Sequence, residues 1–161
     1  MNDTSPTNPF LDLDNARVDE QRQVMQEIAV QGICPFCIEN LEKNNPRPWL
    51  KEGEYWLVIP NRWPYENTQH QLLFILKKHA ESLVEIEPAA GEELVQLLAE
   101  LESEMKLPGG GFSMRFGDTN YSAGSVKHIH GQLIVPDITK VGFQPVRVKL
   151  GKDQLKPLQS T

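Results

Sequence analysis

The clearest pattern in the chain runs from Pro88 to Leu107, where Leu94, Leu97, Leu98, Leu101 and Met105 recur at helical spacing among Glu and Gln. This predicts an amphipathic helix whose leucines face a core, and the pattern lasts too few turns for a coiled coil. Pro108 and glycines 109 to 111 end it. A second helix is expected between Asp14 and Gln31, with Val18, Val24, Met25, Ile28 and Ala29 on one side and Gly32 as the stop signal. EYWLVIP, closed by Pro60, and QLLFIL (71–76) read as strands, as does the alternating FSMRF before a polar loop from Gly117 to Gly124. Between the first helix and EYWLVIP, the stretch ENLEKNNPRP reads as a loop. Alternation returns in KHIHGQLIVP (127–136) and again through Val141, Phe143, Val146, Val148 and Leu150, an expected edge strand interrupted by Pro145. Residues 1–13 and 151–161 read as tails, the first of them poorly ordered, around a single domain of residues 14–150. Strands joined mostly by loops, with two marked helices, give an α+β class built on an antiparallel sheet.

Composition narrows the possible partners. The 161 residues carry a net charge of −6, which argues against a protein that wraps nucleic acid. No apolar run approaches the roughly 20 residues of a membrane span, and MNDTSPTNPF lacks the features of a secretory signal. The expected location is the cytoplasm. Cys34 and Cys37 are the only cysteines, too close together to staple distant segments. CPFC by itself is compatible with half of a zinc site, a redox pair or a surface accident. A redox pair would be expected to follow a strand and open a long helix, which this context does not offer.

In KHIHGQLIVP the side chains of His128, His130 and Gln132 share one strand face, neighbours about 7 Å apart, while Ile129, Leu133 and Val135 take the other. A half-buried strand with stray imidazoles would suffice for one histidine. Two of the chain's four histidines within three residues, followed by an amide, ask for more. The preceding loop, GDTNYSAGS, can offer backbone N–H groups and hydroxyls to phosphate oxygens. Together these suggest a nucleophile facing a bound phosphate.

The stretch Ser125-Val126-Lys127-His128-Ile129-His130-Gly131-Gln132-Leu133-Ile134 resembles the histidine triad superfamily of nucleotide hydrolases and transferases. The resemblance covers roughly residues 30 to 137. It implies a five-stranded antiparallel sheet with two main helices, and a homodimer. It also implies that His130 attacks an α-phosphorus to give a covalent nucleotidyl-histidine, its other ring nitrogen held by a backbone carbonyl. His128, Gln132 and Ser125 would complete the catalytic set. Gln132 stands where hydrolytic branches have a third histidine, and an amide cannot deliver a proton near neutral pH. This disfavours strongly basic leaving groups such as an amine. HIHGQ looks like the nucleotidyltransferase branches, including galactose-1-phosphate uridylyltransferase and the dinucleoside polyphosphate phosphorylases, although this chain is shorter than the uridylyltransferases. A dinucleoside polyphosphate hydrolase and a slow-turnover nucleotide-binding or interaction protein are the alternatives.

By the same resemblance Cys34, Cys37, His79 and His128 match a structural zinc site. On its own, His79 is equally a surface residue opening a helix. Asn61 matches the ribose-binding position, or is simply a turn-former beside Pro60. Asn120 and Ser125 are the expected side-chain donors to the α-phosphate. Trp63 would wall the base site or merely pack, and Arg115 would pair with polyphosphate or face water.

Overall fold

A computed structural model describes residues 8–152. The order of elements is α1 (Asp19–Gln31), α2 (Ile38–Asn44), β1 (Lys51–Glu52), β2 (Trp56–Pro60), β3 (Thr68–Leu76), α3 (Pro88–Glu104), β4 (Gly111–Arg115), α4 (Thr119–Ser122) and β5 (His130–Pro136), with short 3-10 turns at Leu13–Asn15 and Leu83–Glu85. The five strands make one antiparallel sheet in the order β1-β2-β3-β5-β4. The chain is thus α+β, as its pattern predicts.

Period-2 alternation decides what each face meets. On one face Trp56, Val58, Leu72, Phe74 and Leu133 pack against Ala90, Leu94, Leu97 and Leu101 of α3. Pro88 begins α3 at a position where its missing N–H costs nothing, and the indole N–H of Trp56 donates to the carbonyl of Ala90 at 2.7 Å. Burial of each such leucine stabilises the fold by roughly 1.5–3 kcal/mol. Glu93, from the same helix, accepts the backbone N–H groups of Glu54, Tyr55 and Trp56 at 2.6, 2.8 and 2.8 Å, which fixes the turn between β1 and β2. On the opposite face Leu57, Ile59 and Ile75 meet Leu41 of α2 and Phe36 of the CPFC loop. Because β2 is covered on both sides, it reads as a continuous apolar run rather than an alternating one.

Several expectations are corrected. ENLEKNNPRP is not all loop, since Ile38–Asn44 form α2, a short polar helix tied down by buried Leu41 and Asn40. The sheet edges are β1 and β4, and residues 141–150 contain no strand. Gly142 turns the chain there at φ 74°, Pro145 lacks a donor, and Val141 and Leu150 remain exposed. The histidine strand begins at His130 rather than at 127, and α1 at Asp19 rather than Asp14. The expected tail is ordered from Asn8 onward, while residues 1–7 lie outside the described ones. Leu11 bridges Val126, and the Asn8 side chain donates to the carbonyl of Ile33 at 3.1 Å. Leu11, Met25 and Ala29 thereby form a small third cluster beside the sheet. No helix among the described residues is long and apolar enough to cross a membrane.

Candidate functional site

The sheet face opposite α3 carries the side chains of His130 and Gln132. His130 opens β5 and lies in register with Ile75 of β3 and Arg115 of β4. Its Nδ1 sits 2.7 Å from the carbonyl oxygen of His128. A carbonyl only accepts, so Nδ1 carries the proton and Nε2 keeps a free lone pair. Burial holds the His130 ring below the usual imidazole range, and the nearby Arg115 charge adds to the effect while the carbonyl bond opposes it. The ring is therefore neutral near pH 7. Phe36 meets it edge-on, with centroids 5.0 Å apart.

Gln132 is oriented by a short relay. The backbone N–H of Tyr65 donates to Gln71 Oε1 at 2.5 Å, which leaves Gln71 Nε2 to donate to Gln132 Oε1 at 2.6 Å. The amide NH2 of Gln132 is then the group left for another partner. Both Gln132 and His130 line a cavity of about 490 Å³, bounded also by Asn61, Trp63, Ser125 and Val126.

The expected residues are distributed unevenly around this space. Asn61 is at the cavity, with Oδ1 accepting from the backbone N–H of Trp63 at 3.0 Å, the local bond of a turn-forming Asn. Ser125 is at the cavity too. Asn120 is not: it is exposed on α4 outside the lining, where its carbonyl accepts from Lys152 N–H. The indole nitrogen of Trp63 is buried without a partner among the described residues.

Four further side chains converge near the start of β5. Cys34, Cys37, His79 and His128 offer ligand atoms that all lie within 4.8 Å of one another. Individual separations are 3.3 Å for Cys34 Sγ to His128 Nδ1, 3.6 Å for Cys37 Sγ to His79 Nδ1, 4.0 Å for Cys37 Sγ to His128 Nδ1, and 3.1 Å between the two Nδ1 atoms. Tetrahedral zinc with its usual bond lengths would space such ligands about 3.3–3.8 Å apart, so the donor set and its geometry fit that ion. His128 is prepared for such a role, because its Nε2–H donates to the carbonyl of Leu76 at 2.6 Å and turns the Nδ1 lone pair toward the cluster. Burial lowers the His128 pKa to about 4, keeping the ring unprotonated. Burial and the adjacent Cys34 push the Cys37 thiol up to about 12, the reverse of the acidic thiolate that a redox CxxC uses. His79 lies in the loop after β3, ahead of the Leu83–Glu85 turn, and starts no helix.

Sequence reasoning missed Gln71, Tyr65 and Arg17. Gln71 acts through its side-chain amide and Tyr65 through its backbone N–H, ring and hydroxyl, contacts that no motif advertises. Arg17 comes from a segment read only as a helix start, yet its guanidinium lies 4.1 Å from the centre of the Tyr65 ring.

No protein-family model matches the chain, and no curated protein matches it. Solved structures do. A hypothetical protein from Leishmania major is similar at 22% identity over 78% of this chain and 85% of its own, with a TM-score of 0.55. A histidine triad nucleotide-binding protein from Candida albicans is similar at 18% identity over 80% and 86%, with a TM-score of 0.52. A HIT family protein from Bacillus anthracis is similar at 19% identity over 73% and 84%, with a TM-score of 0.50. At these identities the likeness speaks to architecture, and the chain has the histidine triad fold.

Proposed function

We propose that the chain is a nucleotide-processing enzyme of the histidine triad type, in which His130 becomes covalently nucleotidylated. The observation that carries this reading is the neutral His130 ring, its Nδ1–H engaged by the His128 carbonyl and its Nε2 free beside a cavity that also receives the Gln132 amide. Nε2 attacks the α-phosphorus, and the imidazolium character that develops is stabilised through the Nδ1–H bond to the carbonyl. The Gln132 NH2 and Ser125 hydroxyl donate to non-bridging or bridging oxygens. Asn61 meets the ribose hydroxyls. The exposure of Asn120 favours Ser125 over it as the phosphate donor.

Substrates of this reading are dinucleoside polyphosphates, nucleotide sugars or related anhydrides. Gln132 cannot supply a proton, which favours leaving groups stable as anions and makes nucleotidyl transfer the preferred outcome over hydrolysis. Cys34, Cys37, His79 and His128 hold a structural zinc ion, which leaves no open position for a bound water and ties the CPFC loop to the nucleophile strand. The active form is a homodimer, and the free edge of β4 offers the surface for sheet extension.

Incubation with a dinucleoside tetraphosphate labelled at the α-phosphorus tests the reading. Acid-labile label on His130, absent from a His130→Ala protein, is expected. Phosphate-dependent products indicate a phosphorylase and phosphate-independent products a hydrolase. Tight binding with neither label nor turnover would make the chain a binding module instead.

A further inference from the structure

Charge is distributed around the cavity in a way that the overall composition conceals. The chain has 22 acidic and 16 basic residues. Yet among the described residues the cavity is lined by Arg17, Arg62, Arg115, Arg147 and Lys149 against a single carboxylate, Asp14. Asp14 is itself 3.5 Å from Lys152, and Arg62 is paired with Glu20 at 2.7 Å. Arg17 and Arg115 differ from Arg62. Neither has a carboxylate within ion-pair distance among the described residues.

Tyr65 holds these two guanidiniums together. Arg17 stacks on its ring at 4.1 Å and donates to the Trp63 carbonyl at 2.5 Å, while Arg115 donates to the Tyr65 hydroxyl at 3.2 Å and to the carbonyl of Ser122. Arg115 is also the residue directly across from His130 in the β4–β5 pairing, so both project from the same sheet face. Two guanidiniums gathered on neutral partners beside a cavity lack the counter-charge that such groups ordinarily take. An anion on the open side supplies it, and the planar forks of arginine suit phosphate oxygens. Burial lowers the Arg17 pKa, with Tyr65 opposing the shift and the neighbouring Arg115 charge adding to it.

We propose that Arg17 and Arg115, bracketing Tyr65, clamp a second phosphate group beside His130, so that the leaving group of the reaction is itself a phosphate or polyphosphate. This rests on the nucleotidyl-transfer reading above and specifies its substrate class. In the step, the His130 Nε2–P bond forms and the bond from phosphorus to the bridging oxygen breaks. The electron pair remains on the departing phosphate, whose charge the two guanidiniums meet. No proton is required, in agreement with an amide at position 132. In the second step the same clamp receives an incoming phosphate, whose oxygen takes the nucleotidyl group from Nε2.

Calorimetric titration of the full chain, as purified with its metal, uses inorganic tripolyphosphate as probe. Wild-type protein should bind it, with at least tenfold weaker binding in Arg17→Gln and in Arg115→Gln, and less than a twofold change in Lys106→Gln, an exposed charge at the far end of α3. Arg115→Lys, which keeps the charge but loses the fork, should lie between and serves if Arg115→Gln does not fold. Equal binding by all variants, or none by the wild type, overturns the clamp. In parallel, the labelling rate from a dinucleoside tetraphosphate is divided by that from a nitrophenyl ester of the same nucleotide, whose leaving group has no phosphate. The ratio should fall about tenfold in both arginine variants, and an unchanged ratio counts against the proposal. Absence of label in the wild type with tripolyphosphate binding intact defeats the covalent reading while leaving the anion site standing.

Discussion

Gln71 Nε2 donates to Gln132 Oε1 at 2.6 Å, and the direction of that bond is dictated by the backbone N–H of Tyr65, which can only donate and therefore takes Gln71 Oε1. The Gln132 amide is thus turned by a residue of β3 two positions from Leu73, its direct cross-strand partner. Gln71→Leu should free Gln132 to rotate and leave the Tyr65 N–H unpaired. Stability should fall by about 1–3 kcal/mol, read from urea unfolding. The labelling rate of His130 should fall about tenfold in protein that remains folded.

Removing one of the four side chains should empty the proposed zinc site. Protein purified without a tag is expected to carry about one zinc per chain by elemental analysis, and Cys34→Ser less than a tenth of that. Structural zinc contributes to folding free energy directly, so the melting midpoint should drop by roughly 10 °C or more, taking a loss of several kcal/mol at the usual conversion for a domain of this size. Phe36 stands edge-on to His128 at 6.1 Å and to His130 at 5.0 Å. Metal loss should consequently slow His130 labelling even at temperatures where the sheet persists.

Gly131 separates His130 from Gln132 and faces the α3 side of the sheet. A Cβ there would collide with the tip of the Phe112 ring, which packs edge-to-face on Phe74 with centroids 5.4 Å apart. Gly131→Ala should cost about 1–3 kcal/mol through overpacking. The double variant Gly131→Ala with Phe112→Leu should recover part of that loss in chemical denaturation, since the shorter side chain vacates the contact.

Glu93→Ala should strip three backbone N–H groups of their acceptor at the β1–β2 turn. The turn is partly solvated, so water can replace some of those bonds. A loss of about 2 kcal/mol is expected for a carboxylate that accepts this many donors. Labelling of His130 should be unaffected, because α3 lies on the other face of the sheet.

Legibility in the sequence followed the size of the local signal. The leucines of α3 and the apolar runs of β2 and β3 announced themselves, because their burial imposes a period. So did the two histidines of β5 and the CPFC pair, because chemistry places those residue types at fixed spacing. α2 was hidden: seven mostly polar residues make a helix here only because Leu41 and Asn40 are buried. Val141 to Leu150 misled in the opposite sense, alternating correctly but with Gly142 and Pro145 denying it a partner strand. The Arg17–Tyr65–Arg115 arrangement joins positions roughly 50 residues apart along the chain and leaves no mark in any one stretch. Arg115 alone, read from its strand, was equally an ordinary surface cation.

The central pairing of β3 with β5 has a consequence for when the site exists at all. His130 and Gln132 lie on a strand flanked on both sides by others, held in unbroken register with β3 from His70↔Val135 to Ile75↔His130, beyond a bulge between Thr68 and His70. Amide protons of such inner strands exchange with solvent through openings close to the global one, whereas edges and loops fray far more easily. Slow deuterium uptake at residues 130–135 beside fast uptake in the Arg147 segment would describe a His130 ring that local breathing never exposes, with the cavity wall left free to open and admit a ligand.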